Sequence, residues 1–379
     1  MKINCCRLPA LLVLLVIACF NTGAQEKTRK FSAFRDSLDN AIDISDWLVN
    51  KKGVLIVPTI ITEPAVDYGA AIGALFFHSA YTEKKGPPSI SGVGGGATLN
   101  GTWAAAVFHL GYWKRDRIRY MGALGKTNAN LGFYGSGSLG IPGVESVNLN
   151  LDAWFLVQQL KFRLGSSDFF LGGNYIMLDT YNTFEIPIET PEFTGISDSS
   201  TLSEVSLKFE FDSRNNIFTP TKGLFMGLSG TYSDTWLGGD ALYGRIGLTL
   251  IGYIPAGDKV FLGVRHESNY SLGDIPFYAR PIINMRGAPL MKYQNRNTLL
   301  MEAEVSWNVY KRWFISGFTG IGNAFESIED FDSGKSVTTL GTGFRYKLAR
   351  KLGTNMGMDF AVSQDDFAFY IVLGSAWLK

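Results

Sequence analysis

The chain has little of the side-chain chemistry that disulfide frameworks, metal sites and most catalytic sites need. Its 379 residues include only three cysteines and three histidines. The cysteines, Cys5, Cys6 and Cys19, all precede residue 25, so cleavage after Ala24 would leave no disulfide, thiolate metal site or cysteine nucleophile. No His-Glu-x-x-His motif is present either. We therefore expect no cofactor, no metal site and no enzymatic activity.

The sequence also lacks an excess of charge and, beyond its first residues, a long apolar helix. Its 35 basic and 34 acidic residues nearly balance, which gives no electrostatic attraction for nucleic acid. The longest charge-free tract, residues 86–113, contains Pro87, Pro88 and many glycines, which disfavour a helix. A nucleic-acid-binding protein and a helical membrane protein are both disfavoured.

The N-terminus has the pattern of a secretory signal peptide. Lys2 and Arg7 form a basic region, residues 8–20 form an apolar region too short to span a membrane, and small residues precede Gln25. The sequence predicts a signal peptide over residues 1–24. The alternative is lipoprotein processing at Cys19, since the preceding residues resemble a lipobox.

Apolar and aromatic residues are abundant although no helix is predicted to hold them. Hydrophobic residues make up 46% of the chain, aromatic residues 13%, and glycine occurs 43 times. Lipid offers the backbone no hydrogen bonds, so an exported membrane protein without an apolar helix must pair its backbone groups within the protein. A closed β-barrel is the main fold that does this. A large soluble β-sandwich or propeller is the alternative.

Residues 204–234 carry the clearest strand signal. The apolar residues Val205, Leu207, Phe209 and Phe211 alternate with the polar residues Glu204, Ser206, Lys208, Glu210 and Asp212. A strand needs this pattern when one side meets lipid and the other a wet lumen. A polar turn with Pro220 and Gly223 follows, and then a second alternation. The pattern predicts a transmembrane β-hairpin.

Similar signals recur through the rest of the chain. They begin near residues 53, 68, 89, 101, 117, 148, 168, 200, 222, 241, 258, 297, 313, 336, 353 and 366. The fold class is therefore all-β membrane: a closed antiparallel transmembrane β-barrel of sixteen strands over residues 53–379. Residues 130–143 could hold another short strand, which leaves fourteen or eighteen strands open. The closing strand is predicted over residues 367–378, with Trp377 in an outward aromatic girdle.

Loop lengths predict which end of the barrel faces the periplasm. With the N-terminus on the periplasmic side, the two longest connections, residues 179–200 and 273–296, fall outside the cell. The turn at residues 212–223 then falls on the periplasmic side, where barrels keep short turns.

Residues 25–52 differ from the barrel in their pattern. Apolar residues recur there at roughly helical spacing among many charges: Phe31, Phe34, Leu38, Ile42 and Leu48. We expect a short segment, either periplasmic or plugging the lumen, that could be helical. A frayed polar leader is the alternative.

Three motifs resemble one family, the bacterial surface-antigen barrels of the BamA/TamA type. Residues 212–223, DSRNNIFTPTKG, resemble its Asp-x-Arg…Pro-x-x-Gly turn through Asp212, Arg214, Pro220 and Gly223. Residues 44–77 resemble the start of a Bacteroidetes-type branch. Residues 284–289, Asn-Met-Arg-Gly-Ala-Pro, resemble its Val-Arg-Gly-aromatic loop motif.

The loop motif implies a role for Arg286 and Gly287. In this family the loop folds into the lumen and its arginine pairs with an acid on the inner wall, where a guanidinium offers a fixed fork of donors. The usual aspartate position is occupied here by Gly320. We expect Arg286 to pair instead with an inward-facing acid, and the candidates are Glu302, Glu304 and Asp359. An exposed loop arginine is the alternative.

The resemblance implies assistance to protein insertion or translocation at the bacterial outer membrane. The alternatives are a passive pore or structural barrel, and a barrel-embedded hydrolase. Only residues 25–52 precede the first predicted strand, too few for a periplasmic repeat domain. The expected surroundings are outer-membrane lipid and lipopolysaccharide. We expect a monomeric barrel with no nucleic-acid partner, which a separate periplasmic partner protein could join.

Overall fold

The computed structural model describes residues 34–45, 54–63, 65–78, 88–133, 147–185, 196–364 and 366–377. The predicted signal peptide, including Cys19, lies outside these residues. Among them, no helix has the length and apolar character to cross a membrane.

The described residues form sixteen strands in one antiparallel sheet, in which each strand pairs with the next along the chain. The strands are β1 Val54–Ile61, β2 Gly69–Phe77, β3 Ile90–Thr98, β4 Trp103–Trp113, β5 Ile118–Phe133, β6 Val147–Arg163, β7 Phe169–Glu185, β8 Ile196–Asp212, β9 Gly223–Ser233, β10 Tyr243–Pro255, β11 Val260–Gly273, β12 Asn297–Tyr310, β13 Trp313–Phe325, β14 Lys335–Ala349, β15 Thr354–Val362 and β16 Phe367–Leu373. Short 3-10 turns lie at Thr235–Leu237, Phe277–Ala279 and Phe331–Ser333. The sheet curls into a nearly closed barrel, which confirms the predicted fold class.

Alternating side chains give the sheet an apolar outer face and a charged inner face, as β8 illustrates. Leu207 is 65% exposed on the outer face, whereas Glu204 and Glu210 are buried on the inner face. Lys161 donates to Glu210 at 2.6 Å, and both carboxylate oxygens of Glu204 lie 2.9 Å from Arg245. The inner charges are thus paired across an intervening strand, β6 with β8 and β8 with β10.

Every strand begins within four residues of its predicted start, but several extend further than predicted. Both ends of the connection expected at residues 179–200 are strand, because β7 and β8 remain paired as far as Phe184 and Ile196. Residues 186–195 lie outside the described part. Strands of 17 residues exceed the roughly 9–11 that cross a bilayer, so this hairpin projects beyond the membrane. In the region at 130–143, β5 continues to Phe133, and residues 134–146 lie outside the described part.

Connection lengths differ between the two ends of the barrel. One end has short turns, such as the two-residue turn at 311–312 and the turn at 213–222 between β8 and β9. The other end includes the connection at 274–296 between β11 and β12. By the asymmetry usual for such barrels, we expect the short-turn end to be periplasmic, and it is called the periplasmic end below.

The described part of the N-terminal segment reverses the direction of the chain, and its last described residue, Ser45, is helical. Arg35 and Ile42 form an isolated antiparallel bridge, and the Asn40 N–H donates to the Asp36 carbonyl at 2.9 Å, with Asn40 at a φ of 54°. Residues 35–42 are therefore a tight reversal of the chain, whereas residues 25–33 and 46–52 of the predicted segment lie outside the described part. The possibility of a helix in this segment stays a prediction. Charged contacts from three aspartates to the barrel turns, described below, hold this reversed shape.

Candidate functional site

The first and last strands form a seam without a ladder. β1 and β16 lie side by side, but no backbone pairing joins them among the described residues. β1 contains Pro58, which has no N–H to donate and is tolerated in sheets mainly on edge strands. β16 ends after seven residues, and Gly374 follows with a φ of 83°. Both strands are therefore short edges.

The residues after β16 turn into the barrel. The Ser375 N–H donates to the Phe218 carbonyl at 2.6 Å, and Trp377 is buried against Phe225, Ile251 and Tyr253. The predicted closing strand to residue 378 and its outward girdle tryptophan are both wrong. The turn at Gly374 changes the direction of the chain, so strand alternation no longer applies to Trp377.

The connection between β11 and β12, residues 274–296, folds into the lumen and is called the lumenal loop here. Its apolar residues Ile283, Met285, Ala288 and Tyr293 are buried against strand residues Leu300, Ala324 and Val337. The apolar contact with the wall fixes the path of the loop and places its arginine.

Arg286 lies at the centre of a buried charge cluster. Its Nη1 is 2.8 Å from Glu304 Oε2 and 2.6 Å from Asp359 Oδ2, while its Nε is 3.8 Å from Glu302. The guanidinium stacks 3.5 Å above the centre of the Phe318 ring, and the side chain is 9% exposed. The structure thus brings Arg286 together with all three candidate acids and not into bulk solvent.

Further arginines complete the cluster. Arg345 donates to Glu304 at 2.9 Å and to Asp359 at 2.8 Å, and Arg265 pairs with Glu302. Because each acid has at least one cation, the carboxylates can be buried without a large unbalanced charge.

Glycines make room for the lumenal loop. Gly287 has a φ of 88°, which a larger residue would adopt only with strain. A Cβ on Gly320 would lie 2.3 Å from Met285 Sδ and 2.9 Å from Glu302 Cγ. The loop methionine therefore occupies the space that an aspartate at position 320 would need, and the acids come from β12 and β15 instead.

The lumenal loop also joins the two sides of the seam at its outer end. The Leu290 N–H donates to Glu63, just beyond β1, at 3.0 Å. The Gly287 N–H donates to the Tyr370 hydroxyl of β16 at 2.9 Å, and Lys292 lies 2.8 Å from Asp366. One loop therefore contacts both edges that lack a ladder, and this arrangement is called the outer clasp.

The family turn forms a second charged site at the periplasmic end. Arg214 donates through Nε and Nη2 to the two carboxylate oxygens of Asp212, at 2.7 and 3.0 Å, and Arg119 Nη1 adds a third bond at 2.8 Å. Pro220 is buried, and Gly223 has a φ of 112°. The turn motif thus consists of an interior Asp212–Arg214 ion pair and a chain reversal at Gly223, whose positive φ favours glycine.

Sequence reasoning missed a third site, at which the N-terminal segment docks onto the periplasmic turns. Arg312, in the turn between β12 and β13, binds three carboxylates of the segment: Asp36, Asp39 and Asp43. The Ile44 N–H donates to the Leu348 carbonyl at 3.0 Å. The aspartate spacing was visible in the sequence, but nothing identified a partner about 270 residues away.

Ionisation at this docking site favours the bound state. The hydrogen bond from Arg350, with further bonds and both arginine charges, holds the pKa of Asp36 well below its usual range. Burial opposes ionisation of Asp43, but hydrogen bonds from Ser45 and Arg312 outweigh it and lower its pKa. Both carboxylates therefore remain charged at neutral pH.

A serine and two histidines meet on the outer face. Ser91 Oγ lies 2.6 Å from His78 Nε2 and 2.8 Å from His109 Nδ1. Neither imidazole has a carboxylate partner within the described part of the chain, although a catalytic triad orients its base with one. The contact gives the hydrolase alternative a serine and a base but no orienting acid.

Comparisons with known proteins agree with this geometry. Residues 128–283 match the Omp85 superfamily domain. Among solved structures, BamA from Haemophilus ducreyi lacking POTRA domains 1-3 superposes with a TM-score of 0.55 at 12% identity, over 86% of this chain and 70% of that one. CdiB from Escherichia coli gives a TM-score of 0.58 at 10% identity, over 84% of this chain and 62% of that one.

A further similar structure is CdiB from Acinetobacter baumannii, with a TM-score of 0.53 at 10% identity. It is matched over 84% of this chain and 59% of its own length, so this chain spans less than two thirds of both CdiB chains. No curated protein matches the chain. At these identities the structural likeness shows the barrel fold.

Proposed function

We propose that this chain, which is a bacterial outer-membrane β-barrel of the Omp85 superfamily, assists the insertion or translocation of proteins at that membrane. The observation that carries the proposal is the seam between β1 and β16, which has no ladder and is held at its outer end by the lumenal loop. A barrel with an ordinary structural role would gain stability by pairing these edges.

An unpaired edge can template an incoming strand. The N–H and C=O groups of a free edge are hydrogen-bonding sites for another extended chain. Because β1 carries Pro58 and β16 is short, the two edges have few groups with which to satisfy each other. A client strand arriving from the periplasmic side could therefore pair at the seam without first breaking a full native ladder.

The outer clasp then acts as the closing element of the seam. Arg286 holds the lumenal loop against β12 and β15, and the same loop contacts Glu63 on one edge and Tyr370 on the other. In this proposal the arginine positions the clasp and does not contact a client. Loss of the arginine should therefore weaken seam closure while leaving the sixteen-stranded wall intact.

The filled lumen disfavours the passive-pore alternative. The lumenal loop and the charge cluster of Arg286, Arg345 and Asp359 occupy the interior, and Trp377 is buried beside them. A steady open conductance would require these buried groups to leave their partners. The proposal predicts low conductance with brief openings in planar bilayers.

Depletion of the protein tests the proposed function. Cells depleted of this chain should lose other outer-membrane β-barrel or surface proteins, measured by quantitative proteomics of purified outer membranes. Expression of the wild-type chain should restore them. Unchanged levels of these proteins after complete depletion would contradict the proposal.

A further inference from the structure

The first four strands form the longest run of consecutive strands in the described barrel that carry no charged residue on either face. β1 to β4 contain no Asp, Glu, Lys or Arg within their bounds. Lumen-facing positions of transmembrane barrels are usually polar. The inner wall of β8 to β15, by contrast, holds the paired charges of Glu204, Arg265 and Asp359.

Small side chains line the inner face of this charge-free wall. The strand registers place Val57, Gly73, Gly94 and Ala106 in one row across β1 to β4. The next row contains Thr59, Ala71, Gly96 and Ala104. These eight residues are called the lumenal trough.

The lumenal trough borders an open space inside the barrel. It lines a cavity of about 430 Å³, which is within the range that holds small apolar ligands. A Cβ on Gly73 would have only the Val93 carbonyl oxygen nearby, at 3.8 Å, so the space above this glycine is open. Moving an apolar group from water onto an apolar surface is favourable, so this wall suits an apolar ligand.

The lumenal trough is continuous with the bilayer through the seam. Its lining includes Val57 and Thr59 of β1 and also Leu373, the last residue of β16. Leu373 shares the strand face of Phe367, an exposed residue of the outer surface. No ladder between these two strands closes the path within the described residues.

We propose that the lumenal trough binds an acyl chain of a bilayer phospholipid, which enters laterally through the seam. An alkyl chain carries no charge and forms no hydrogen bonds, which suits a wall of glycine, alanine and valine. A client β-strand lying in the trough would bring backbone groups that β2 to β4, which are paired on both sides, cannot satisfy. This binding site does not depend on the proposed role in protein insertion.

Photo-crosslinking in a defined bilayer tests the proposal. The full-length protein is reconstituted into phosphatidylethanolamine vesicles that contain a phospholipid with a diazirine at the end of one acyl chain. After irradiation, adducts are mapped by mass spectrometry. We expect adducts on lumen-facing residues such as Ala71 and Ala106 as well as on the outer face. Adducts confined to the outer face would overturn the proposal.

A filled trough provides the matched variant. Gly73→Leu places a side chain in the open space, whereas Gly230→Leu places the same side chain on the outer face, where a Cβ has nothing within 4 Å. Each buried methylene contributes about a factor of four to binding, so displacing two of them should lower lumenal labelling about tenfold or more. Outer-face labelling should not change in either variant.

Heat-modifiable migration on gels verifies that each variant folds. If Gly73→Leu does not fold, Ala106→Leu replaces it as the variant that fills the trough. Lumenal labelling that stays at the wild-type level in a folded, filled variant would overturn the proposal. A loss of lumenal labelling in Gly230→Leu would overturn it too, because that side chain lies far from the lumenal trough.

Discussion

Replacement of Arg286 by glutamine should release the lumenal loop from the barrel wall. The side chain has two carboxylate partners within 2.8 Å, a ring contact at 3.5 Å and an exposure of 9%. Removing one member of a buried ion pair costs about 3–5 kcal/mol, because the partner charge remains buried and unpaired. Arg345 still binds Glu304 and Asp359, so we expect the lower part of this range, about 3 kcal/mol.

Two measurements follow the effect. The free energy of unfolding in urea, with the protein in lipid vesicles, should fall by about this amount. Protease added outside cells should cleave the lumenal loop faster than in the wild type, because the loop can leave the lumen. Arg286→Lys should be intermediate, since it keeps the charge but not the planar fork.

Controls separate the buried cluster from loop charge in general. Arg296 lies in the same loop but pairs with the exposed residues Asp274 and Glu326, so Arg296→Gln should cost at most about 1 kcal/mol. In Arg286→Gln, Arg345 alone faces Glu304 and Asp359, so adding Glu304→Gln removes the excess negative charge and should recover part of the loss. If Arg286→Gln and Arg296→Gln were equally mild in both assays, the assigned role of the cluster would be refuted.

Three further changes test the loop, the docked segment and the turn. Gly320→Asp places atoms where Met285 lies, so external protease should cleave the lumenal loop more readily than in the wild type, and equal cleavage would argue against tight packing there. Arg312→Gln should increase hydrogen exchange at residues 34–45. The same segment should stay docked at neutral pH and loosen below about pH 4. Docking lowers the pKa of the Asp36 and Asp43 carboxyl groups, so their ionised forms stabilise docking at any pH above the ordinary pKa of a free aspartate. That stabilisation is lost as the pH falls from the free pKa through the lower pKa of the docked state. Exchange that is insensitive to both would contradict the ion-pair account. Gly223→Ala should lower the free energy of unfolding in urea by about 1–3 kcal/mol. Residue 223 has a positive φ, and a Cβ there would lie 2.4 Å from the Ser213 carbonyl oxygen. An unchanged urea midpoint of unfolding would show that the turn relaxes to accept the side chain.

The strands could be predicted because lipid and lumen impose an alternation that can be read in one sequence. The same rule placed Glu302, Glu304 and Asp359 on the inner face, so the candidate partners of Arg286 could be limited to three acids. Which of them lies nearest depends on the path of the lumenal loop. Contacts at Met285 decide that path, and they have no sequence period.

The remaining features could not be predicted from the sequence, because they lie where the alternation of apolar and polar residues ends. Beyond the membrane, the paired extensions of β7 and β8 carry polar residues such as Asp198 and Ser199, and these read as loop. At the C-terminus the positive φ of Gly374 turns Trp377 inward, which strand parity cannot indicate. The docking of Arg312 joins residues far apart in sequence, where charge alone does not specify a pair.

Locking the seam tests the central claim most directly. The native cysteines all lie within the predicted signal peptide, so engineered pairs with one cysteine in β1 and one in β16 can be oxidised in living cells. A control pair, Ala361→Cys with Ala368→Cys, joins partners in the existing ladder between β15 and β16. With the native gene depleted, an oxidised seam should leave outer-membrane protein levels as low as in depleted cells, and reductant should restore them. A covalently locked seam that supports wild-type levels would contradict the account.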